Sequence, residues 1–225
     1  MVELIDLIPE LRDDLESVAQ PDNASGMKAY MKDRADFLGV KTPQRRAASK
    51  PFITAGRQAT ADQLLAAADV CWAEPEREFQ YVGTDLLRRW SKSLEPDSLP
   101  RIEQLIRTKS WWDTVDALAS NVVGALVARH PELSSTMDIW IDDADFWIAR
   151  TAILHQLGYG DDTDADRLFG YVDRRAGDTE FFIRKACGWA LRQYARHDPG
   201  AVRAYVVDRG GSLSGLTRRE ALKHL

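Results

Sequence analysis

Phe79-Gln80-Tyr81-Val82-Gly83-Thr84-Asp85-Leu86-Leu87-Arg88-Arg89-Trp90 is the stretch that decides the fold. Its apolar residues, Phe79, Val82, Leu86, Leu87 and Trp90, recur at the spacing of one helix face, with polar residues between them. The segment before it, Ala61 to Trp72, reads the same way through Leu64, Leu65, Ala68 and Cys71, with Trp72 beside them. Ile102, Leu105 and Ile106 continue the pattern, followed by Val115, Leu118, Val122 and Leu126. Phe146 to Leu157 and Phe182 to Tyr194 complete it. No convincing period-2 strand interrupts the series, and Tyr205-Val206-Val207 fits a helix end before Gly210-Gly211. Prolines mark the boundaries: Pro75 after Trp72, Pro96 and Pro100 after Trp90, Pro131 after His130 and Pro199 after His197. Short connections between amphipathic helices suit antiparallel pairs.

The pairs repeat. Glu78-Phe79, Asp145-Phe146 and Glu180-Phe181-Phe182 each open a helix with an acid followed by phenylalanine. An acid there complements the helix dipole, and the ring can seed the buried face. Ala128-Arg129-His130-Pro131 and Ala195-Arg196-His197-Asp198-Pro199 echo each other at helix ends. Trp72, Trp112, Arg150 and Trp189 follow one another at 40, 38 and 39 residues. Periods near 40 in an all-helical chain indicate stacked hairpins of the HEAT or armadillo kind. The expected architecture is an all-α HEAT-like solenoid with a concave groove, one domain over residues 1–225. An irregular helical bundle is the alternative.

The chain has 225 residues, of which 44% are hydrophobic and 29% charged, enough for a sizeable core. No apolar run approaches the roughly 18 residues of a membrane span. The opening, Met1 to Leu7, lacks a basic region followed by an apolar run. Cys71 and Cys187 each sit inside an apolar helical pattern, so buried free thiols are expected, and a cytoplasmic location with them. A net charge of −5 and a pI near 5.4 argue mildly against a nucleic-acid partner. Distribution weighs more than the total. Acids collect in Glu10–Glu16, Asp142–Asp145 and Asp161–Asp166, and bases in Arg45-Arg46, Arg88-Arg89, Arg184-Lys185 and Arg218-Arg219. A basic face is compatible with that separation, as are ordinary solvated helix faces.

Common catalytic patterns are missing. His130, His155, His197 and His224 form no metal-ligand spacing, and no cofactor is expected. Asp162, Asp164 and Asp166 imitate a calcium loop, but Arg167 and Asp173 stand where such a loop needs Gly and Glu, so a solvated acidic loop is the reading. There is no phosphate loop and no Gly-x-Ser-x-Gly. What remains is Lys109-Ser110-Trp111-Trp112-Asp113-Thr114-Val115-Asp116. Trp112 and Asp116 lie one helical turn apart, an indole beside a carboxylate. Trp111 and Trp112 point about 100° apart, so one can face the core and the other a groove. Of the seven tryptophans, Trp72, Trp90, Trp140 and Trp147 read as packing residues. A cap or surface acid is the default account of Asp116 on spacing alone.

An ordered set of segments resembles the bacterial DNA alkylation repair glycosylases of the AlkD type. They are Tyr30-Met31-Lys32, Phe37 to Arg46, Glu76 to Gln80, Thr108 to Asp116, Arg150 to Leu157, Phe181 to Arg192 and Arg218 to His224. The resemblance implies hydrolysis of the N-glycosidic bond of cationic N3- or N7-alkylated purines in duplex DNA, without base flipping. It implies Asp116 as the catalytic carboxylate, Trp112 and Trp189 as the groove tryptophans, Arg150 as the key arginine and Tyr30 as a groove tyrosine. Lys109, Phe182 and Arg192, in the same segments, are expected DNA contacts. Family members can carry a further tail beyond the position of Leu225.

The expected chemistry suits those residues. A cationic base is already a good leaving group, so no general acid is needed. The transition state calls for stabilisation of an oxocarbenium-like sugar and a positioned water. Asp116 can supply both, the two indoles can face the positive charge, and Arg150 would fix a neighbouring phosphate. The expected protein is a monomer that meets double-stranded DNA and no membrane. The competing functions are a helical scaffold without chemistry and a damage-recognition module that binds without cutting.

Overall fold

A computed structural model describes residues 3–225 of the chain; Met1 and Val2 of the opening segment lie outside the described residues. The fold is all-α. Its one departure among the described residues is an isolated bridge between Asp36 and Glu76. No helix among them is long and apolar enough to cross a membrane. The contacts fall into two compact units, one up to Lys109 and one from Ser110 to Leu225.

Unit 1 contains α1 (Ile8–Ser17), α2 (Pro21–Tyr30), α3 (Thr42–Ala48), α4 (Lys50–Ala55), α5 (Ala61–Ala73), α6 (Arg77–Arg89) and α7 (Leu99–Arg107). The α5–α6 pair is its centre. Thr60 and Gln63 form a reciprocal capping box that starts α5. The stripes read from sequence are the buried faces: Leu64, Leu65, Ala68, Cys71 and Trp72 on α5, Phe79, Val82, Leu86 and Leu87 on α6. Gly83 lets the helices close, because a Cβ there would meet the Trp72 ring at 3.0 Å. The Trp72 indole N–H donates to the carbonyls of Leu105 and Thr108, and that of Trp90 to Ile53. Both are packing tryptophans.

Glu78 does more than its place in the first turn of α6 implied. Its carboxylate is fully buried and accepts from the backbone N–H groups of Leu38, Gly39 and Val40 at 3.0–3.1 Å. That ties the loop after α2 to the helix pair. Gly39 is obligatory in the loop, with φ +86° and no room for a Cβ beside the Gln20 carbonyl.

Unit 2 contains α8 (Trp112–Leu118), α9 (Gly124–Arg129), α10 (Ser134–Trp140), α11 (Phe146–Leu154), α12 (Ala165–Arg174), α13 (Phe181–Tyr194), α14 (Pro199–Arg209) and α15 (Gly215–Ala221). A π-turn at Ala119–Val123 joins α8 to α9. The acids before Phe146 and Phe181 are N-caps: Asp145 accepts from the Trp147 N–H and Glu180 from the Phe182 N–H. Asp164, from the loop that imitates a calcium site, caps α12 through the Arg167 N–H. Cys71 and Cys187 are free and buried, and burial raises both thiols to about 12.

The repeat is visible as a ladder of polar bonds between successive helix pairs. Asp138 on α10 accepts from Arg167 and Tyr171 on α12. Asp173 on α12 accepts from Tyr205 and Arg209 on α14. The equivalent rungs Asp138–Tyr171 and Asp173–Tyr205 recur after 34–35 residues. The structural repeat is therefore shorter than the tryptophan spacing suggested. Trp72 lies in the last turn of α5, Trp112 at the start of α8 and Trp189 midway along α13, so those anchors do not occupy equivalent positions.

Candidate active site

Unit 2 brings Asp116 and Arg150 together. Each lies in the second turn of its helix, α8 and α11, which pack against each other. Arg150 grips the carboxylate in a two-pronged pair, Nε to Oδ1 at 2.7 Å and Nη2 to Oδ2 at 2.8 Å. Its remaining terminal nitrogen, Nη1, donates to the Phe182 carbonyl on α13, and its guanidinium stands 5.8 Å from the centre of the Phe182 ring. The Arg150 side chain is 4% exposed and that of Asp116 15%. Three consecutive second helices of the repeat thus meet at one guanidinium.

Burial decides the electrostatics. It pushes the Asp116 carboxyl above the usual aspartate range, against the opposing pull of the Arg150 hydrogen bonds and charge; nearby Asp113 adds to the rise. A carboxylate with raised basicity, held in place and opening to solvent on one side, can accept a proton from water or face a developing cation. The π-turn begins just past Asp116. There Ser120 donates to the Asp116 carbonyl and Asn121 to that of Ala117. Such turns interrupt the regular ladder and often mark functional positions.

An aromatic wall backs the pair. Trp111, the N-cap residue of α8, packs edge-on to Trp147 at 5.8 Å and to Phe182 at 5.1 Å. Phe146 adjoins Trp147 and stacks parallel to Phe182. Trp111 is therefore the core-facing member of its pair. Trp112 and Trp189 are both half-buried. Trp112 precedes Asp116 by one turn on α8, and Trp189 follows Phe182 by two turns on the same face of α13.

The other expected site residues are placed differently. Arg192 on α13 bonds Glu220 of α15 at 2.6 Å, and Lys185 takes the second oxygen of the same carboxylate at 2.7 Å. This is a cross-repeat clamp, with the Glu220 carboxyl held below its usual range by Lys185, then Arg192. Tyr30 and Lys109 belong to unit 1. Tyr30 ends α2 with 70% of its surface exposed. Lys109 is exposed, adopts φ +51°, and points its ammonium to the Glu74 carbonyl, while its own carbonyl accepts from buried Arg77. Partial burial lowers its pKa. A non-glycine residue at positive φ is strained backbone, here two residues before Trp111 in the sequence. Neither the Glu78 anchor nor the Phe182 carbonyl contact could be foreseen, since backbone acceptors and long-range caps leave no local motif.

The family model of the DNA alkylation repair enzymes matches residues 11–225. The chain belongs to that family. A solved structure of a predicted DNA alkylation repair enzyme from Enterococcus faecalis is 31% identical, covers 92% of this chain and 96% of its own, and superposes with a TM-score of 0.86. AlkD2 from Streptococcus mutans is 12% identical, with 99% of each chain covered and a TM-score of 0.67. The protein smu.31 from Streptococcus mutans UA159 is 13% identical, with 88% of this chain and 99% of its own covered and a TM-score of 0.62. The last two share the fold. No curated protein matches. Family membership makes this chain a DNA alkylation repair protein with a helical-repeat fold.

Proposed function

We propose that the protein is a DNA glycosylase that hydrolyses the N-glycosidic bond of cationic alkylpurines, of the 3-methyladenine and 7-methylguanine type, in duplex DNA. The observation that supports it best is the buried Asp116–Arg150 pair, with Trp112 one turn before Asp116 on α8 and Trp189 on α13, the helix whose Phe182 carbonyl Arg150 bonds. The C1′–N bond breaks with its electrons passing to the base, which leaves neutral because it began as a cation. Asp116 faces the oxocarbenium-like sugar and takes the proton of the water that attacks C1′. The indole faces lower the energy of the positive sugar by about 0.5–2 kcal/mol each. The lesion is held without flipping, in a monomeric enzyme that needs no cofactor.

Arg150 takes a different role from the phosphate contact expected of it. Its guanidinium is spent on Asp116 and the Phe182 carbonyl. It holds the carboxylate in one orientation and opposes the upward push that burial exerts on its pKa. The experiment is single-turnover release of 7-methylguanine from methylated duplex DNA by the purified protein. Release that disappears with Asp116→Asn supports the reading. Tight binding of the lesion without release would make the protein a damage-recognition module instead.

A further inference from the structure

We propose that unit 1 carries its own phosphate-backbone grip, a basic cleft between α3–α4 and the end of α6. The inference rests on the reading that the substrate is duplex DNA. Between Asp36 and Asp62 the sequence holds Lys41, Arg45, Arg46, Lys50 and Arg57 and no acid, in a chain whose net charge is −5. Folding adds Arg88 and Arg89 from the last turn of α6. Arg46, Lys50, Arg88 and Arg89, all exposed, line an open cleft of about 550 Å³. The carboxylate in its lining, Asp85, is bonded by buried Arg45 at 3.0 Å, so its charge is offset from beneath.

The form of the cleft selects the ligand. A small anion is usually held by buried, fixed donors. Here the buried cation is committed to Asp85, and the four that line the opening are long, solvated side chains spread over three helices. Such a surface suits a polyanion whose successive phosphates replace condensed counterions and carry no sequence information.

The test is the affinity for an undamaged duplex across a salt series. Three proteins are compared: the native chain, Lys50→Glu with Arg88→Glu, and a charge-matched control, Arg196→Glu with Arg203→Glu, at exposed positions elsewhere. The cleft variant should bind at least about tenfold more weakly at low salt, and its slope of log affinity against log salt should fall by about 2. The control should keep the native slope. A cleft variant that binds like the native protein, or a control that loses as much, overturns the proposal. A tripolyphosphate titration is the second arm: binding lost in the cleft variant, with duplex affinity kept, would assign the cleft to a free anion and overturn the backbone grip. If the native protein binds no duplex at all, the DNA reading fails with it, a result distinct from a native protein that binds and a cleft variant that binds equally well.

Discussion

Asp116 and Asp138 each receive a two-pronged guanidinium from a helix one repeat further along, Arg150 in the first case and Arg167 in the second. Their carboxyls shift in opposite directions. Asp138 is 44% exposed and Arg167, with help from Tyr171, holds it below the usual range. Asp116 is 15% exposed, and burial outweighs its arginine. The same pair of groups is a surface rung in one place and a poised carboxylate in the other. Water makes the difference, because losing it penalises the charge more than one neighbour can restore.

Removing Arg150 should produce the largest effect. Arg150→Ala leaves the Asp116 charge buried without its partner, a loss of about 3–5 kcal/mol of stability at neutral pH. Arg150 lowers the Asp116 pKa, so its removal raises it further, and the acid limb of the excision rate should move to higher pH. Unfolding midpoints and a pH–rate profile check both. Loss of affinity for undamaged DNA with an unmoved acid limb would return Arg150 to the phosphate role.

Asp116→Asn keeps the shape and removes the charge. Release of 7-methylguanine should fall on the order of 10²–10³-fold, or about 3–4 kcal/mol, with duplex affinity largely kept. Uracil should stay in place with the native protein, because this site offers no acid for a poor leaving group. Native rates in the Asn variant, or efficient uracil release, would remove Asp116 from the chemistry.

Next in size is a buried base in unit 2. His155 is 1% exposed, bonds the Ala152 carbonyl at 2.6 Å, and burial lowers its pKa from 6.5 to about 4. The unfolded imidazole gains its proton below pH 6.5, while the folded one stays neutral until about pH 4. The unfolded state therefore binds more protons across that window, and stability falls as pH drops through it, by about 3 kcal/mol in all. Denaturant unfolding at pH 7 and pH 4.5 should show the fall, and His155→Phe should flatten it.

The smallest effect belongs to the surface rung. Asp138→Asn should cost less than about 1 kcal/mol at neutral pH. The folded Asp138 pKa is lowered, so this contribution is present above the unfolded pKa and disappears as pH falls through the folded one. Thermal unfolding in low and high salt measures it. A cost equal to that of Arg150→Ala would erase the contrast between the two pairs.

Much of this molecule was written locally. The period of Phe79 to Trp90, the prolines between segments and the acids before Phe146 and Phe181 determined the helices and two of their caps, because stripes and caps depend on residues a few positions apart. Trp112 and Asp116 were legible together for the same reason. Tertiary structure alone decided what Arg150 does, since it meets Asp116 across 34 residues and Phe182 across 32. It decided the true repeat, which lies in bonds between helices and not in the spacing of the largest side chains. It also decided that Arg192 is bonded to Glu220 and that Glu78 anchors a loop. Local periodicity fixes which face of a helix is apolar. Which charges lose their water, and against which partner, depends on the packing of helices distant in sequence.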